Sequence, residues 1–269
     1  MRRAWTTLRT GQLTRSLEDL LTLPAWAPGF PMLRPEGLTD EARDALVELC
    51  PSGAFEEDDD EFRLDVAACV LCGRCRRDRP DAIAEWRTLD VAVTRREDLV
   101  QRVDLMHGTF IEPSEPPPTR HDLHIPTLAC RVVSAGNGGL DDSEIALTGN
   151  PFNDMSRFGF TLVASPRHAD ALLVTGPVSL NMRDPLERTY GAMPDPKAVV
   201  AVGNEAIGGE LFAASPAVLG GVDRMLEVDV YVPGSPARPA SILFGLLLLV
   251  GRVKQTLVGG RPNASRTRT

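Results

Sequence analysis

Cysteine is scarce in this chain, and the few cysteines are unevenly placed. Only five of the 269 residues are cysteines: Cys50, Cys69, Cys72, Cys75 and Cys130. A small disulfide-stapled domain devotes more than about 8% of its residues to cysteine, so that class of protein is excluded. Four of the five lie between positions 50 and 75, and only one follows them. The placement of the thiols is therefore a better guide to function than their number.

An excess of positive charge is also missing. The chain has 29 Lys and Arg residues against 37 Asp and Glu residues, which gives a formal net charge of −8. Proteins that bind nucleic acid generally present a basic surface to the phosphates. The sequence therefore predicts no nucleic-acid partner.

No apolar run is long enough to span a membrane. The longest runs from Ile242 to Val250 and includes one glycine, about half of the roughly 20 residues that a spanning helix needs. The opening Met1-Arg2-Arg3 is not followed by the apolar segment of a secretory signal. We expect a cytoplasmic protein without a membrane span of its own, which reaches the inner face of a membrane only through partners.

A proline-rich segment, Glu112 to Thr119, marks a domain boundary, because consecutive prolines lack backbone donors and favour extended chain. The sequence predicts an N-terminal arm (1–32), a cysteine-containing domain (33–90), a charged and proline-rich linker (91–120), a second domain (121–255) and a disordered tail (256–269). The aromatic residues of the arm, Trp5, Trp26 and Phe30, either dock on a partner or cover the protein's own core.

The second domain has the pattern of an α/β fold. Short apolar runs, each followed by a glycine or proline turn, predict the strands Phe160–Val163, Ala171–Thr175, Ala198–Val202 and Val228–Val232. Continuous apolar strands that alternate with helices indicate a parallel sheet covered on both faces. Helices are predicted from Pro185 to Met193, with Asp184 as N-cap, and from Pro239 to Val253.

The triplet Cys69-Val-Leu-Cys72-Gly-Arg-Cys75 has the spacing of an iron–sulfur ligand loop. In two-cluster ferredoxins a fourth cysteine follows such a triplet, precedes a proline and ligates the other cluster; here that position is Arg79, before Pro80. Cys50-Pro51 looks like the end of a first half-motif whose own triplet is absent. The chain thus keeps all four ligands of one 4Fe–4S cluster, Cys50, Cys69, Cys72 and Cys75, and none of the other.

Two alternatives remain open for these thiols. They could hold a structural zinc ion, although zinc sites usually pair two C-x2–4-C motifs, or they could bind no metal. Between Cys50 and the triplet, the acidic run Glu56 to Glu61 is predicted to form the solvated tip of a hairpin. Cys130 is expected to pack as a small hydrophobic residue.

The second domain resembles the small iron–sulfur subunit shared by respiratory complex I (NADH:quinone oxidoreductase, B-type subunit) and membrane-bound [NiFe]-hydrogenases. The resemblance spans residues 120–252 and rests on the following segments: Arg157 to Phe160, Ser165 to Val178, Met193 to Lys197, Val202-Gly203, Gly208-Gly209 and Val228 to Gly234. It implies a flavodoxin-like, three-layer α/β fold. The cysteine domain, in turn, resembles an α+β ferredoxin-like companion subunit of formate hydrogenlyase-type complexes, so the chain looks like a fusion of two neighbouring subunits.

The resemblance also implies a terminal 4Fe–4S cluster in the second domain, yet its cysteines are missing. Gly136, Gly139, Glu205 and Ser235 stand at the four vacated positions. Cys130 is the one cysteine after Cys75, and a single thiol cannot ligate a 4Fe–4S cluster. We therefore expect the second domain to hold no cluster. Glu205 and Ser235 form a hydrogen-bonded pair, line a site for something else, or simply fill space; a carboxyl buried there would have a shifted pKa.

Two functions follow as hypotheses. In the first, the chain is a non-catalytic electron-transfer subunit with one 4Fe–4S cluster, and its second domain docks on a large subunit of the hydrogenase or complex I type. In the second, it is a scaffold or redox-sensing protein that uses the cluster structurally. No catalytic residue is predicted in either case.

Overall fold

The computed structural model describes residues 15–113 and 127–262. Its helices are α1 Leu17–Leu21, α2 Asp40–Leu49, α3 Arg74–Asp78, α4 Leu140–Leu147, α5 Arg183–Gly191, α6 Asn204–Gly208 and α7 Pro239–Leu249. Its strands are β1 Phe30–Leu33, β2 Phe55–Glu57, β3 Glu61–Asp65, β4 Ile83–Trp86, β5 Val100–Asp104, β6 Thr109–Phe110, β7 Leu128–Ser134, β8 Phe160–Leu162, β9 Ala171–Thr175, β10 Ala198–Val202, β11 Val230–Val232, β12 Leu257–Val258 and β13 Arg261–Pro262.

The second domain is built on a five-stranded sheet in the order β11-β10-β9-β7-β8, and every pair of neighbours is parallel. Numbered along the chain from β7, this order is 2-1-3-4-5, the order of flavodoxin-like doubly wound sheets. All five residues of β9 and all five of β10 are buried, because side chains of each strand enter apolar clusters on both faces of the sheet. The predicted parallel α/β fold is confirmed, and three of the four predicted strands match to within a residue.

Some local predictions for this domain are wrong. Strand β7 is absent from the predicted set, since its Arg131 and half-buried positions interrupt the apolar run. Helix α5 begins at Arg183, and Asp184 lies in its first turn instead of capping it. Helix α7 ends at Leu249, two residues before the left-handed Gly251 (φ 71°), and not at Val253.

The first unit combines a four-stranded antiparallel sheet, β2-β3-β5-β6, with the antiparallel pair β1–β4. Helix α2 starts after Thr39, whose hydroxyl accepts from the Ala42 amide, and it buries Leu46 against a small core that includes Phe55 and Phe62. The result is an α+β unit. Its ferredoxin-like character stays a prediction.

The structure moves two of the predicted boundaries. Strand β5 falls within the predicted linker 91–120, yet it pairs with β3, so the first unit continues past residue 90. Residues 256–262 fall within the predicted disordered tail, yet they include the β12–β13 pair, in which Leu257 is buried. The proline-rich linker beyond residue 113 and the tail from residue 263 lie outside the described residues.

The arm and the acidic run also differ in detail from expectation. Trp5 lies outside the described residues, Trp26 is 84% exposed and Phe30 is buried in β1. Of the acidic run, Glu61 is not at the solvated tip: it is buried and accepts from Arg102 Nε at 2.9 Å. The rest of the predicted hairpin is confirmed by the β2–β3 pairing. No helix among residues 15–113 and 127–262 has the length and apolar character to cross a bilayer.

Candidate iron–sulfur site and the vacated cluster position

The cysteine triplet lies on a tight loop between β3 and α3. Leu71 (φ 51°) and Gly73 (φ 67°) both adopt left-handed backbone conformations, which reverse the chain between successive cysteines. Cys75 then falls in the first turn of α3. Cys50 approaches from another direction, since it caps the C-terminus of α2.

The structure brings all four predicted cysteines to one cleft, whose empty volume is about 540 Å³ with open solvent included. Burial, and to a smaller extent the other three thiols, raise the pKa of the Cys69 thiol to about 12. The pKa of Cys75 is also raised, first by burial and then by Cys72 and Cys50. Thiols that disfavour one another's ionisation in this way are close together, and they ionise more readily when a metal takes the charge.

Backbone amides already point at two of the sulfurs. The Ala54 N–H donates to Cys50 Sγ, and the Leu71 N–H donates to Cys69 Sγ, both at 3.3 Å. The hydroxyl of Ser52 lies 3.6 Å from Cys50 Sγ. Amide donors of this kind stabilise thiolate sulfur and tune the potential of iron–sulfur centres.

One buried side chain joins this loop to the second domain. Asn204 is fully buried, and its Nδ2 donates at 2.8 Å to the carbonyls of Val66 and Cys69. Its Oδ1 accepts from the Gly234 N–H at 2.9 Å. Asn204 immediately precedes Glu205 and Gly234 immediately precedes Ser235, so a single amide connects the cysteine loop with two of the vacated loops. Sequence reasoning missed this residue, because a lone asparagine after a strand carries no signal of a long-range contact.

The four positions predicted to have lost cluster ligands lie at the carboxyl end of the parallel sheet, in loops or, for Glu205, in the first turn of α6. Gly136 and Gly139 follow β7, Glu205 follows β10 and Ser235 follows β11. Both glycines have positive φ, and a Cβ on Gly136 would lie 3.1 Å from that of Ser179. This is the edge at which open α/β sheets build their sites.

Two further carboxylates face this edge, Asp141 at the start of α4 and Glu210 after α6. Ser235 Oγ donates to Glu210 Oε2 at 3.2 Å. Of the alternatives left open for Glu205 and Ser235, the hydrogen-bonded pair of these two residues is therefore not observed. Asp141 Oδ1 accepts from the Ala237 N–H at 2.9 Å. Two of the carboxylate oxygens, Glu205 Oε2 and Glu210 Oε1, are buried without a hydrogen-bond partner among the described residues.

The environment disfavours charge on all three carboxyls. Burial raises the pKa of Glu210 to about 8 and that of Asp141 to about 7, and the neighbouring carboxylates add to both shifts. Burial also raises the pKa of Glu205. Sequence reasoning missed Glu210 and Asp141, although both lie close to a glycine in a loop at the carboxyl end of a strand, which is a usable signal.

The fifth cysteine lies apart from the cleft. Cys130 is completely buried in β7, as expected of a packing residue, and burial raises its pKa to about 12. Within the part of the chain that the structure describes, no three His, Cys, Asp or Glu side chains converge on a point suited to a single metal ion.

Comparison with known proteins agrees with this architecture. The family model for the NADH ubiquinone oxidoreductase 20 Kd subunit matches residues 141–249. The probable membrane-bound hydrogenase subunit mbhJ of Pyrococcus furiosus is 42% identical over 48% of this chain and 78% of its own length.

Other relatives match over about half of their own length. The B-type subunit of the NADH-quinone oxidoreductase of Bacteroides thetaiotaomicron is 50% identical over 38% of this chain and 52% of its own length. Formate hydrogenlyase subunit 7 of Escherichia coli is 41% identical over 47% of this chain and 49% of its own length. The parallel sheet, its carboxyl-edge loops and these similarities lead to one assignment: the chain belongs to the family of the NADH ubiquinone oxidoreductase 20 Kd subunit.

Proposed function

We propose that this protein is an electron-transfer subunit of a hydrogenase- or complex I-related complex. It holds one 4Fe–4S cluster on Cys50, Cys69, Cys72 and Cys75, and its second domain serves as a docking surface for a large catalytic-type subunit. The observation that carries the proposal is the meeting of these four thiols, from two separate segments, in one cleft. When bound, such a cluster accepts and donates one electron at a time.

The cleft suits a cluster in chemical terms. It offers four sulfur donors, and two of the sulfurs already accept backbone hydrogen bonds. Apolar residues such as Phe30 and Phe55 also line it. An apolar lining limits water access, which is one way in which proteins control the potential of a cluster.

The arrangement supports a cluster better than a zinc ion. A structural zinc ion is usually held by two C-x2–4-C motifs, with each sulfur about 2.3 Å from the metal. In a cube each thiolate binds its own iron, so the sulfurs need only surround a larger object. The C-x2-C-x2-C loop with a remote fourth cysteine has the spacing of a 4Fe–4S ligand set and not that of two zinc-binding pairs.

Exposed apolar side chains support the docking role of the second domain. Leu140, Leu180, Leu211 and Phe212 are 63%, 52%, 58% and 49% exposed, and they lie in segments that follow β7, β9 and β10. Exposed apolar groups at one edge of a soluble domain are typical of a protein interface. Since the relatives include a membrane-bound hydrogenase subunit, we expect this chain to reach a membrane through its partner subunits and otherwise to be cytoplasmic.

The absence of cysteines at Gly136, Gly139, Glu205 and Ser235 favours a second candidate, a scaffold or redox-sensing protein that uses its cluster structurally. The two candidates differ in what the cluster does. An electron-transfer subunit exchanges electrons with a co-purified large subunit, whereas a scaffold binds that subunit with no effect of the cluster on turnover.

Anaerobic purification with iron and sulfide analysis, followed by EPR after dithionite reduction, tests the cluster. We expect about four irons per chain and one 4Fe–4S signal. Cys50→Ser should lose the signal, and the matched control Cys130→Ser, which changes a buried thiol outside the cleft, should keep it. About eight irons would contradict an empty second domain, and zinc in place of iron would contradict the redox role.

A further inference from the structure

The segment that carries the cysteines is strongly basic in an acidic protein. The chain as a whole has a net charge of −8. Between positions 74 and 79, however, it has the arginines Arg74, Arg76, Arg77 and Arg79 against the single acid Asp78. Helix α3 therefore presents a local charge opposite to that of the molecule.

Two of these arginines form ion pairs with other residues of the chain. Arg76 forms an ion pair with Glu85, whose other oxygen accepts from Arg87 at 2.9 Å. Arg79 lies 3.7 Å from Glu41. These pairs tie α3 to its surroundings and offset part of the charge of Arg76 and Arg79.

Arg74 and Arg77 are different, because both are exposed and neither forms an ion pair with any residue in 15–113 or 127–262. Nη1 of Arg77 donates to the carbonyl of Cys72 at 3.2 Å, so its guanidinium is held beside that cysteine. Arg74 lies between Cys72 and Cys75 and lines the cleft.

Cys72 is also the one exposed thiol of the four; Cys50, Cys69 and Cys75 are half-buried. A cluster held by these ligands would come closest to solvent at Cys72. The exposed ligand and the two cations without an ion pair thus lie on the same edge, which we call the arginine edge and define by Cys72, Arg74 and Arg77.

We propose that the arginine edge docks an acidic electron-carrier protein, which exchanges one electron with the cluster through the exposed Cys72 side. The inference rests on the proposed function and adds a partner to it. One electron leaves the reduced carrier and enters the oxidised cluster, so the carrier is oxidised, the cluster is reduced and no bond is made or broken. Opposite charges at such an edge speed encounter and orient the two centres.

The charge pattern favours a protein over a lipid surface. Segments that bind anionic membranes carry clusters of about four to eight basic residues, whereas the arginine edge has Arg74 and Arg77 alone. Binding to lipid would not require Arg74 and Arg77 to lie beside the exposed Cys72, whereas docking of a redox protein would, because the two redox centres must come close together.

The test compares two charge-reversed forms of the whole protein, purified anaerobically. Arg74→Glu/Arg77→Glu changes the arginine edge, and Arg167→Glu/Arg188→Glu changes two exposed arginines of the second domain outside the cleft. Each pair changes the charge by −4, from −8 to −12. Stopped-flow spectroscopy follows cluster reduction by a reduced plant-type [2Fe–2S] ferredoxin, which is an acidic carrier.

At low ionic strength we expect the arginine-edge variant to react about tenfold or more slowly than the unchanged protein, and its rate to lose the decrease with added salt. The control pair should stay within about twofold, since only local charge steers docking. Equal rates and equal salt dependence in both variants would overturn the proposal. So would arginine-dependent binding to phosphatidylglycerol vesicles with an unchanged ferredoxin rate.

The iron content and EPR spectrum of each preparation show whether a slow reaction is due to loss of the cluster or to loss of carrier docking. An unchanged protein without iron would defeat the proposed cluster, and the partner with it, before any kinetics. If Arg74→Glu/Arg77→Glu alone loses iron, Arg74→Gln/Arg77→Gln replaces it. That pair removes half as much charge and should still slow the reaction several-fold, so a rate equal to that of the control would again contradict the arginine edge.

Discussion

At the scale of single residues, the carboxyls at the carboxyl edge of the parallel sheet are the most informative feature. Glu205 and Glu210 each keep one buried oxygen without a hydrogen-bond partner among the described residues, and burial raises the pKa of both. Ser235 satisfies only Glu210 Oε2. The vacated positions are therefore surrounded by acids that resist ionisation.

These acids predict a pH dependence of stability. The pKa of Glu210 is about 8 in the folded chain against an ordinary value of 4.5, so the folded state binds more protons than the unfolded state between those values. Stability contributed by the protonated form is complete below pH 4.5 and is lost as the pH rises through 8.

Glu210→Gln should therefore be more stable than the unchanged protein at pH 8 to 9, by on the order of 1–3 kcal/mol, and similar to it at pH 5. Urea unfolding at several pH values measures the difference. Glu187→Gln, at an exposed position of α5, is the control. A stability difference that is the same at every pH would show that ionisation of Glu210 does not contribute.

Asn204 is the second residue-scale case. Asn204→Ala removes two donors from the buried carbonyls of Val66 and Cys69, which should cost about 3 kcal/mol of unfolding free energy. It should also shift the EPR spectrum and midpoint potential of the cluster, since the Cys69 loop is no longer fixed. Asn181→Ala, at an exposed position, should change neither. Destabilisation with an unaltered potential would limit Asn204 to a structural role.

At the scale of elements, the cleft depends on the close pairing of β1 with β4. A Cβ added to Gly29 would lie 2.3 Å from the carbonyl oxygen of Trp86, and residues 28–31 line the cysteine cleft. The backbone of this short segment therefore sets one wall of the site.

Gly29→Ala should consequently push β1 away from β4. We expect a loss of about 2 kcal/mol in stability and faster loss of iron on exposure to air. Gly138→Ala, where a Cβ has open space, is the matched control. Iron retention equal to that of the control would show that β1 does not shield the site.

The helices and strands of this chain can be predicted where their own residues determine the structure, and not where contacts with distant residues determine it. Strands β9 and β10 match their predictions residue for residue, because both are apolar throughout. In the sequence, β5 looks like part of a linker and β12 like part of a tail, because the residues around them are charged or polar. Their order depends on pairing with β3 and with β13, which the sequence does not reveal. The candidate cysteines follow from spacing alone. The carboxyls and Asn204 do not, since only the folded chain brings them to the site.

At the scale of the whole molecule, two units of different architecture are joined by several polar contacts, and the one made by Asn204 lies beside the cysteine loop. The cysteine loop belongs to the first unit and the carboxyl-edge loops to the second, and Asn204 bonds to both. Exposed apolar residues, Leu211 and Phe212 among them, follow the same α6 segment that begins with Asn204.

This shared contact has a thermodynamic consequence. Any protein that displaces the Asn204 amide when it binds the carboxyl edge will alter the reduction potential of a cluster held by the cysteine loop. Linkage is reciprocal, so reduction must then change the affinity for that protein by the same factor. With a cluster on the cysteine loop, its oxidation state and the assembly of the second domain would therefore form a single equilibrium, connected through the side-chain amide of Asn204.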